Sequence, residues 1–141
     1  MICEIMRANE EQPGKDALFA VLKCFPFETA KLQATFSAYQ TLDDMRQTSD
    51  TKIRSSGFVV HTLEAALWAF FSTENFKDGA IKVVNLGDDA DTVGAVYGGL
   101  AGAYYGIGAM PTEWIEALQA RDVIDKVVEA VVELVSNQGD P

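Results

Sequence analysis

Histidine, cysteine and basic residues are all scarce in this chain. The 141 residues include one histidine, His61, and two cysteines, Cys3 and Cys24. Two cysteines cannot build a disulfide scaffold, and these lack the paired spacing of a zinc site, so both are read as reduced thiols suited to the cytoplasm. Eleven Lys plus Arg stand against 21 Asp plus Glu, a formal net charge of -10. The mean field therefore repels phosphate polyanions and anionic surfaces, which argues against nucleic acid and membrane as partners. An anionic ligand needs local help, such as a bound cation. Residues 1–12 carry acidic side chains where a secretory signal places a basic region and an apolar run, so no export is expected. Residues 93–110 carry no charge, yet they are crowded with glycine and lack basic anchors at their flanks, so a buried helix is expected there rather than a membrane span.

No segment alternates apolar and polar residues long enough for a solvent-faced strand, and no repeat appears. What is present is apolar material, 48% of the chain, at helical spacing, enough for one all-α domain built as a compact multi-helix bundle. Leu18, Val21, Leu22 and Phe25 predict a helix over residues 15–25, stopped by Pro26. Leu32, Phe36, Tyr39 and Leu42 predict a second helix from about Glu28, running until the polar residues 47–50 and the Ser55-Ser56-Gly57 loop. Residues 58–74 are apolar on more than one side, with Val59, Leu63, Ala66, Leu67 and Phe70 in a broad stripe, as in a central helix. Trp68, Phe70 and Phe71 are read as core, and His61 as a hydrogen-bonded packing residue without a catalytic role.

Asn75 caps the next predicted helix, through Val84, with Ala80, Ile81 and Val84 facing inward before Gly87 ends it. A helix over residues 92–105 then carries Gly94, Gly98 and Gly102, with Gly106 at the next step of four. Each interior glycine costs about 1 kcal/mol of helix propensity relative to alanine, so this stripe is expected in the interior, against another backbone. Pro111 opens a helix containing Trp114, Ile115 and Leu118. Ile124, Val127, Val128, Val131, Leu134 and Val135 form the apolar face of a last helix, which residues 137–139 end.

Between the glycine-rich helix and the one before it lie Asp88, Asp89 and Asp91, with the hydroxyl of Thr92 beside them. Like charges so close together are unfavourable unless a cation or hydrogen-bond donors absorb them. One reading is local: Asp91 caps the following helix and Asp88 bonds within the turn. The other is a hard-cation site, since oxygen-only ligands suit Mg2+, Mn2+ or Ca2+ and disfavour zinc. Carboxylate charge outweighs the roughly half positive charge of the helix end. Val93 at the third alternating position excludes an EF-hand, and the glycines do not fit a dinucleotide-binding fingerprint.

Several motifs together carry a resemblance. Ser56-Gly57-Phe58-Val59 is followed by TLEAALW at residues 62–68, NLGDDADTVGA at 85–95, GGLAGAYYG at 98–106, and Pro111 with Trp114. In order and spacing these resemble the C-terminal half of the ADP-ribosylglycohydrolases, the dinitrogenase-reductase-activating type among them. The resemblance implies that residues 1–141 form a single, partial domain of that fold, with residues 52–120 as its family-matching core. It also implies an all-helical hydrolase that cleaves the glycosidic bond between ADP-ribose and a protein side chain with the help of two Mg2+ or Mn2+ ions. On that basis Asp89, Asp91 and Thr92 are metal ligands, and Asp88 supports them from behind. Ser56, Gly57 and Phe58 match the loop that lies against substrate. Phe58 stands where the family commonly has tyrosine, keeping the stacking face and losing the hydroxyl. Read as residues alone, Ser56 and Gly57 are equally a simple turn.

Full members are longer and carry, in an N-terminal half, a Thr-Asp-Asp or Ser-Asp-Asp element that completes the metal cluster, together with an acidic residue that handles the water. This sequence has neither, and no catalytic residue is assigned. Its nearest acidic pair, Asp43-Asp44, is read as the solvated surface of an ordinary helix. Three ligand oxygens fall short of the six that octahedral Mg2+ takes. Two readings follow: a hydrolase that needs its other half in cis or in trans, or a catalytically inactive ADP-ribose-binding or structural remnant. ADP-ribose or an ADP-ribosylated protein is the expected partner in either case. Apolar faces left uncovered by a missing half imply a homo-oligomer or a complementing chain.

Overall fold

A computed structural model describes residues 1–7 and 12–137. Its helices are α1 (Ile2–Arg7), α2 (Lys15–Cys24), α3 (Ala30–Ser37), α4 (Leu42–Arg46), α5 (Val59–Ser72), α6 (Phe76–Val84), α7 (Ala90–Tyr105), α8 (Thr112–Glu116) and α9 (Arg121–Asn137). Short 3-10 turns cover Asp50–Lys52 and Ile107–Ala109. No strand occurs among the described residues, so the all-α expectation holds. No described helix is long and apolar enough to cross a membrane. The chain divides into two compact units, residues 1–110 and 111–141.

In the first unit α5 is the hub. It packs against α3, α4, α6 and α7, and α7 also packs against α6 and α1. Ala65, Ala66, Leu67, Trp68, Ala69, Phe70 and Phe71 are all buried, so α5 hides more than one face, as its sequence predicts. Its C-terminal end has no glycine cap, and cations take the free carbonyls instead. Lys15 Nζ donates to Phe70 O at 2.7 Å and also to Thr73 O, while Arg46 Nε donates to Phe71 O at 3.2 Å. Positive charge at a helix C-terminus satisfies orphan carbonyls and opposes the negative end of the macrodipole. Lys15 Nζ also lies 5.0 Å from the ring centre of Phe70 and 5.4 Å from that of Tyr105. Burial nevertheless pushes its ammonium down to about 8, with nearby Glu74 pulling the other way.

The single helix expected from Glu28 through Leu42 is two. Thr41 breaks it with a capping box: Thr41 Oγ1 accepts from Asp44 N at 3.1 Å, and Asp44 Oδ2 accepts from Thr41 N at 2.7 Å. Thr41 and Asp44 therefore start α4, where an uninterrupted surface helix was expected. The bonds from Thr41 hold the Asp44 carboxyl below its usual range. The apolar spacing ran on through the break because Phe36, Tyr39, Leu42 and Met45 all face the same core.

Other inward sets shift as well. Val21, Phe25 and Val59 are exposed, while Phe19 joins Leu18 and Leu22 in the core. Asn75 caps α6 as expected, its Oδ1 accepting from Asp78 N at 2.8 Å. The buried face of α6, however, is Phe76, Gly79 and Val83, and Ile81 and Val84 are exposed.

The glycine stripe is also corrected. Val93, Tyr97, Leu100 and Ala101 form the buried face of α7, whereas a β-carbon added at Gly94, Gly98 or Gly99 would meet nothing within 4 Å. No backbone presses on the stripe in this unit. Gly106 is the cap beyond α7, at φ 74°, where glycine is favoured over residues with a β-carbon. With open space and no contact to lose, Gly98→Ala should stabilise the chain by about 1 kcal/mol, read as a rise in the urea midpoint at unchanged slope.

In the second unit Pro111 precedes α8, which stops at Glu116, short of Leu118. Arg121 joins the two elements, donating from one guanidinium nitrogen to Ile115 O at 3.4 Å and pairing with Asp125 at 3.2 Å. Taken by itself, this unit leaves the apolar face of α9 exposed, including Ile124, Val127, Val128, Val131, Leu134 and Val135. The expected stop at Gln138 and Gly139 lies outside the described residues.

Candidate functional site

Two loops of the first unit come together, and each was singled out in the sequence. Gly87 (φ 72°) and Asp88 (φ 53°) both occupy the left-handed region, which Gly and Asp tolerate, and they reverse the chain after α6. The reversal presents the next residue to the loop before α5. Asp89 N donates to Ser55 O at 3.0 Å, and the buried Ser55 donates from Oγ to Gly87 O at 2.9 Å. Residues 55–57 and 87–89 are thus bonded in both directions.

This joint places the Asp89 carboxylate beside Gly57. A β-carbon on Gly57 would lie 3.1 Å from Asp89 Oδ2, tighter than ordinary contact, so glycine leaves the space in which that oxygen sits. The other oxygen, Oδ1, accepts from Thr92 Oγ1 at 3.0 Å. Asp89 holds the N-cap position of α7 but caps nothing with its side chain. The local reading, with Asp91 as the cap, is therefore corrected. Asp91 lies inside the first turn and is exposed, and so are Asp88 and Thr92.

The donor set fits part of a hard-cation site. Asp89, Asp91 and Thr92 offer oxygen alone, in a turn whose carboxylates are spent neither on capping α7 nor on ion pairs. Ion pairs in the first unit join Arg46 to Asp43 and to Glu74, each at 3.7 Å, and none among the described residues engages Asp88, Asp89 or Asp91. Among the described residues no three His, Cys, Asp or Glu side chains converge as a metal cluster. Asp89, Asp91 and Thr92 by themselves would fall short of a full coordination sphere.

The substrate-loop candidates line the same corner. Phe58 precedes α5 and is 47% exposed. Ser56 Oγ lies 2.7 Å from His61 Nδ1 and accepts from Phe58 N at 3.5 Å, and the rings of Phe58 and His61 meet edge to face at 5.2 Å. Thr62 Oγ1 donates to the carbonyls of Ser56 and Phe58, at 3.4 Å each. The sequence reading gave His61 no part in this corner. The spacing from Ser56 to His61, five residues across a helix start, was the available signal, since a first-turn side chain reaches back over the residues preceding its helix.

Comparison with known proteins places these loops in a family. The family model for ADP-ribosylglycohydrolase matches residues 1–141. Over 86 residues, 61% of this chain and 23% of the relative, the sequence is 49% identical to the ADP-ribosylarginine hydrolase Tri1 of Pseudomonas putida (strain GB-1). Over 78 residues, 55% of this chain and 21% of the relative, it is 47% identical to the ADP-ribosylarginine hydrolase Tri1 of Serratia proteamaculans (strain 568). The ADP-ribosyl-[dinitrogen reductase] glycohydrolase of Rhodospirillum rubrum is 43% identical over 70 residues, 50% of this chain and 24% of that protein. The chain spans less than a quarter of the length of each of these relatives. With all 141 residues matched by the family model, and with an all-helical fold that joins the Ser-Gly-Phe loop to the Asp-x-Asp-Thr turn, the chain belongs to the ADP-ribosylglycohydrolase family.

Proposed function

We propose that this chain supplies one part of the site of a Mg2+- or Mn2+-dependent ADP-ribosyl hydrolase, with the remaining ligands coming from another segment in cis or in trans. The observation that carries this reading is the placement of the Asp89 carboxylate against Gly57, in a frame of hydrogen bonds through Ser55. Asp89, Asp91 and Thr92 would hold the cations, and Asp88 would support the turn behind them. Bound cations would supply Lewis acidity and offset the substrate's diphosphate, which also answers how a chain of net charge -10 takes an anion. Ser56 and Gly57 would offer polar atoms and close backbone approach to the ADP-ribosyl group, and Phe58 an exposed ring face for stacking. The names of two relatives make ADP-ribosylarginine the first linkage to try.

The test is release of ADP-ribose from ADP-ribosylarginine and from modified protein, with and without Mg2+. It is run on the chain alone and with the N-terminal portion of a relative added. Calorimetry measures cation and ADP-ribose binding in parallel. If cations supply several kcal/mol of charge stabilisation, Asp89→Ala and Asp91→Ala each lower the Mg2+-dependent rate by roughly 100-fold or more. Turnover unchanged by both substitutions would remove the metal assignment. ADP-ribose binding without turnover in any combination would favour the inactive, ligand-binding reading.

A further inference from the structure

We infer that His61 is a positioning residue for ADP-ribose, acting through Ser56, an inference that rests on the function proposed above. The residue is half-buried in the first turn of α5, directly behind the loop that faces Asp89. Its Nδ1 is 2.7 Å from Ser56 Oγ, and its ring packs edge to face on Phe58 at 5.2 Å. One side chain thus touches both outer members of the Ser-Gly-Phe loop, while Gly57 between them sits against Asp89.

One arrangement uses both contacts: Ser56 Oγ accepts from Phe58 N and gives its own proton to His61 Nδ1, with the imidazole proton on Nε2. A serine hydroxyl is otherwise free to rotate. In that arrangement the hydroxyl is tied to Nδ1 and keeps one lone pair, with which Ser56 would accept from a sugar hydroxyl. Without the imidazole, both the rotor and the Phe58 ring lose their backing, and the ligand must order them on binding.

The chain's lone histidine makes the test direct, because the full chain gives a single pair of imidazole nitrogen signals, Nδ1 and Nε2, in nitrogen-15 NMR. The unliganded protein should show Nδ1 unprotonated, and Ser56→Ala should shift that signal toward mixed tautomers. ADP-ribose binding in the presence of Mg2+ is then measured by calorimetry for the parent chain, His61→Phe, His61→Asn, Ser56→Ala and the double variant Ser56→Ala with His61→Phe. Circular dichroism melts on the same samples separate misfolding from loss of positioning. Loss of one ordered hydrogen bond predicts about tenfold weaker binding for His61→Phe. Asparagine, whose amide stands close to the place of Nδ1, should restore binding to within about threefold of the parent, a rescue that packing alone would not give. Ser56→Ala should match His61→Phe, and the double variant should be no worse than either single one. If the parent binds and His61→Phe binds equally well, or His61→Asn is as weak as His61→Phe, the positioning role is overturned while the proposed function stands. If the parent does not bind ADP-ribose with Mg2+, the proposed function falls and this inference falls with it.

Discussion

Gly79→Ala is expected to destabilise the first unit by about 3 kcal/mol, although the same change in an exposed helix would add about 1 kcal/mol. A β-carbon at Gly79 would stand 2.0 Å from the Tyr97 hydroxyl and 2.5 Å from the ring carbon that bears it. Tyr97 cannot swing clear, because it is 1% exposed and donates to Phe76 O at 2.9 Å. Making room forces the ring outward and disrupts that bond. Overpacking costs about 1–3 kcal/mol, and a buried hydroxyl left without its partner about 1–3 more. The sum exceeds the helix gain by a wide margin. Urea unfolding of Gly79→Ala against Gly98→Ala puts the two glycines of adjacent helices on opposite sides of zero. In a Tyr97→Phe background the cost of Gly79→Ala should shrink, because the nearest atom is gone. Equal costs in both backgrounds would show that the clash is not with the hydroxyl.

Alkali should produce a second large effect, with a change of sign near pH 10. Between pH 8 and 10.5 the unfolded chain keeps the Lys15 proton that the folded chain releases from about 8, so stability rises with pH by up to about 1.4 kcal/mol per unit. Above pH 10 the tyrosines reverse the slope. All four are held above their ordinary range, chiefly by burial. Tyr97 is pushed up to about 12, and Tyr39 is raised further by its bond to Glu64 at 2.7 Å. There the unfolded chain gives up protons that the folded chain retains, each group removing up to about 1.4 kcal/mol per pH unit. Tyr39, Tyr97 and Tyr105, the three most strongly shifted, together reach at most about 4 kcal/mol per unit, a large part of the stability of a small domain. The urea midpoint should therefore peak between about pH 9 and 10.5 and collapse within one to two units above that. Phenolate absorbance should appear in step with unfolding rather than before it. Phenolates forming at ordinary pH in the folded chain would contradict the burial of these rings.

Helix order was readable because apolar spacing is a local property. α2, α5, α6, α7 and α9 fall close to their expected places, and the Asn75 cap was found from one residue and its context. The two loops of the site were legible as motifs, and the structure brings them together through Ser55. The remaining details depend on neighbours far away in the chain. The break at Thr41 lay under a spacing that continues across it, since α3 and α4 face one core. The glycine stripe meets no backbone, and the tight glycine contact is at Gly79, against the side chain of Tyr97 eighteen positions on. Cations closing the end of α5 were invisible too, because Lys15 precedes the carbonyl of Phe70 by 55 residues. The five-residue step from Ser56 to His61 hints at their meeting, but only folding sets the ring behind Ser56.

The bond from Asp89 N to Ser55 O uses main-chain atoms alone. Such a joint survives replacement of the aspartate side chain, so mutational drift can erase the carboxylate while the two loops stay joined. Shape and chemistry are inherited separately here, and a chain that had lost the carboxylate would still show the same loop geometry.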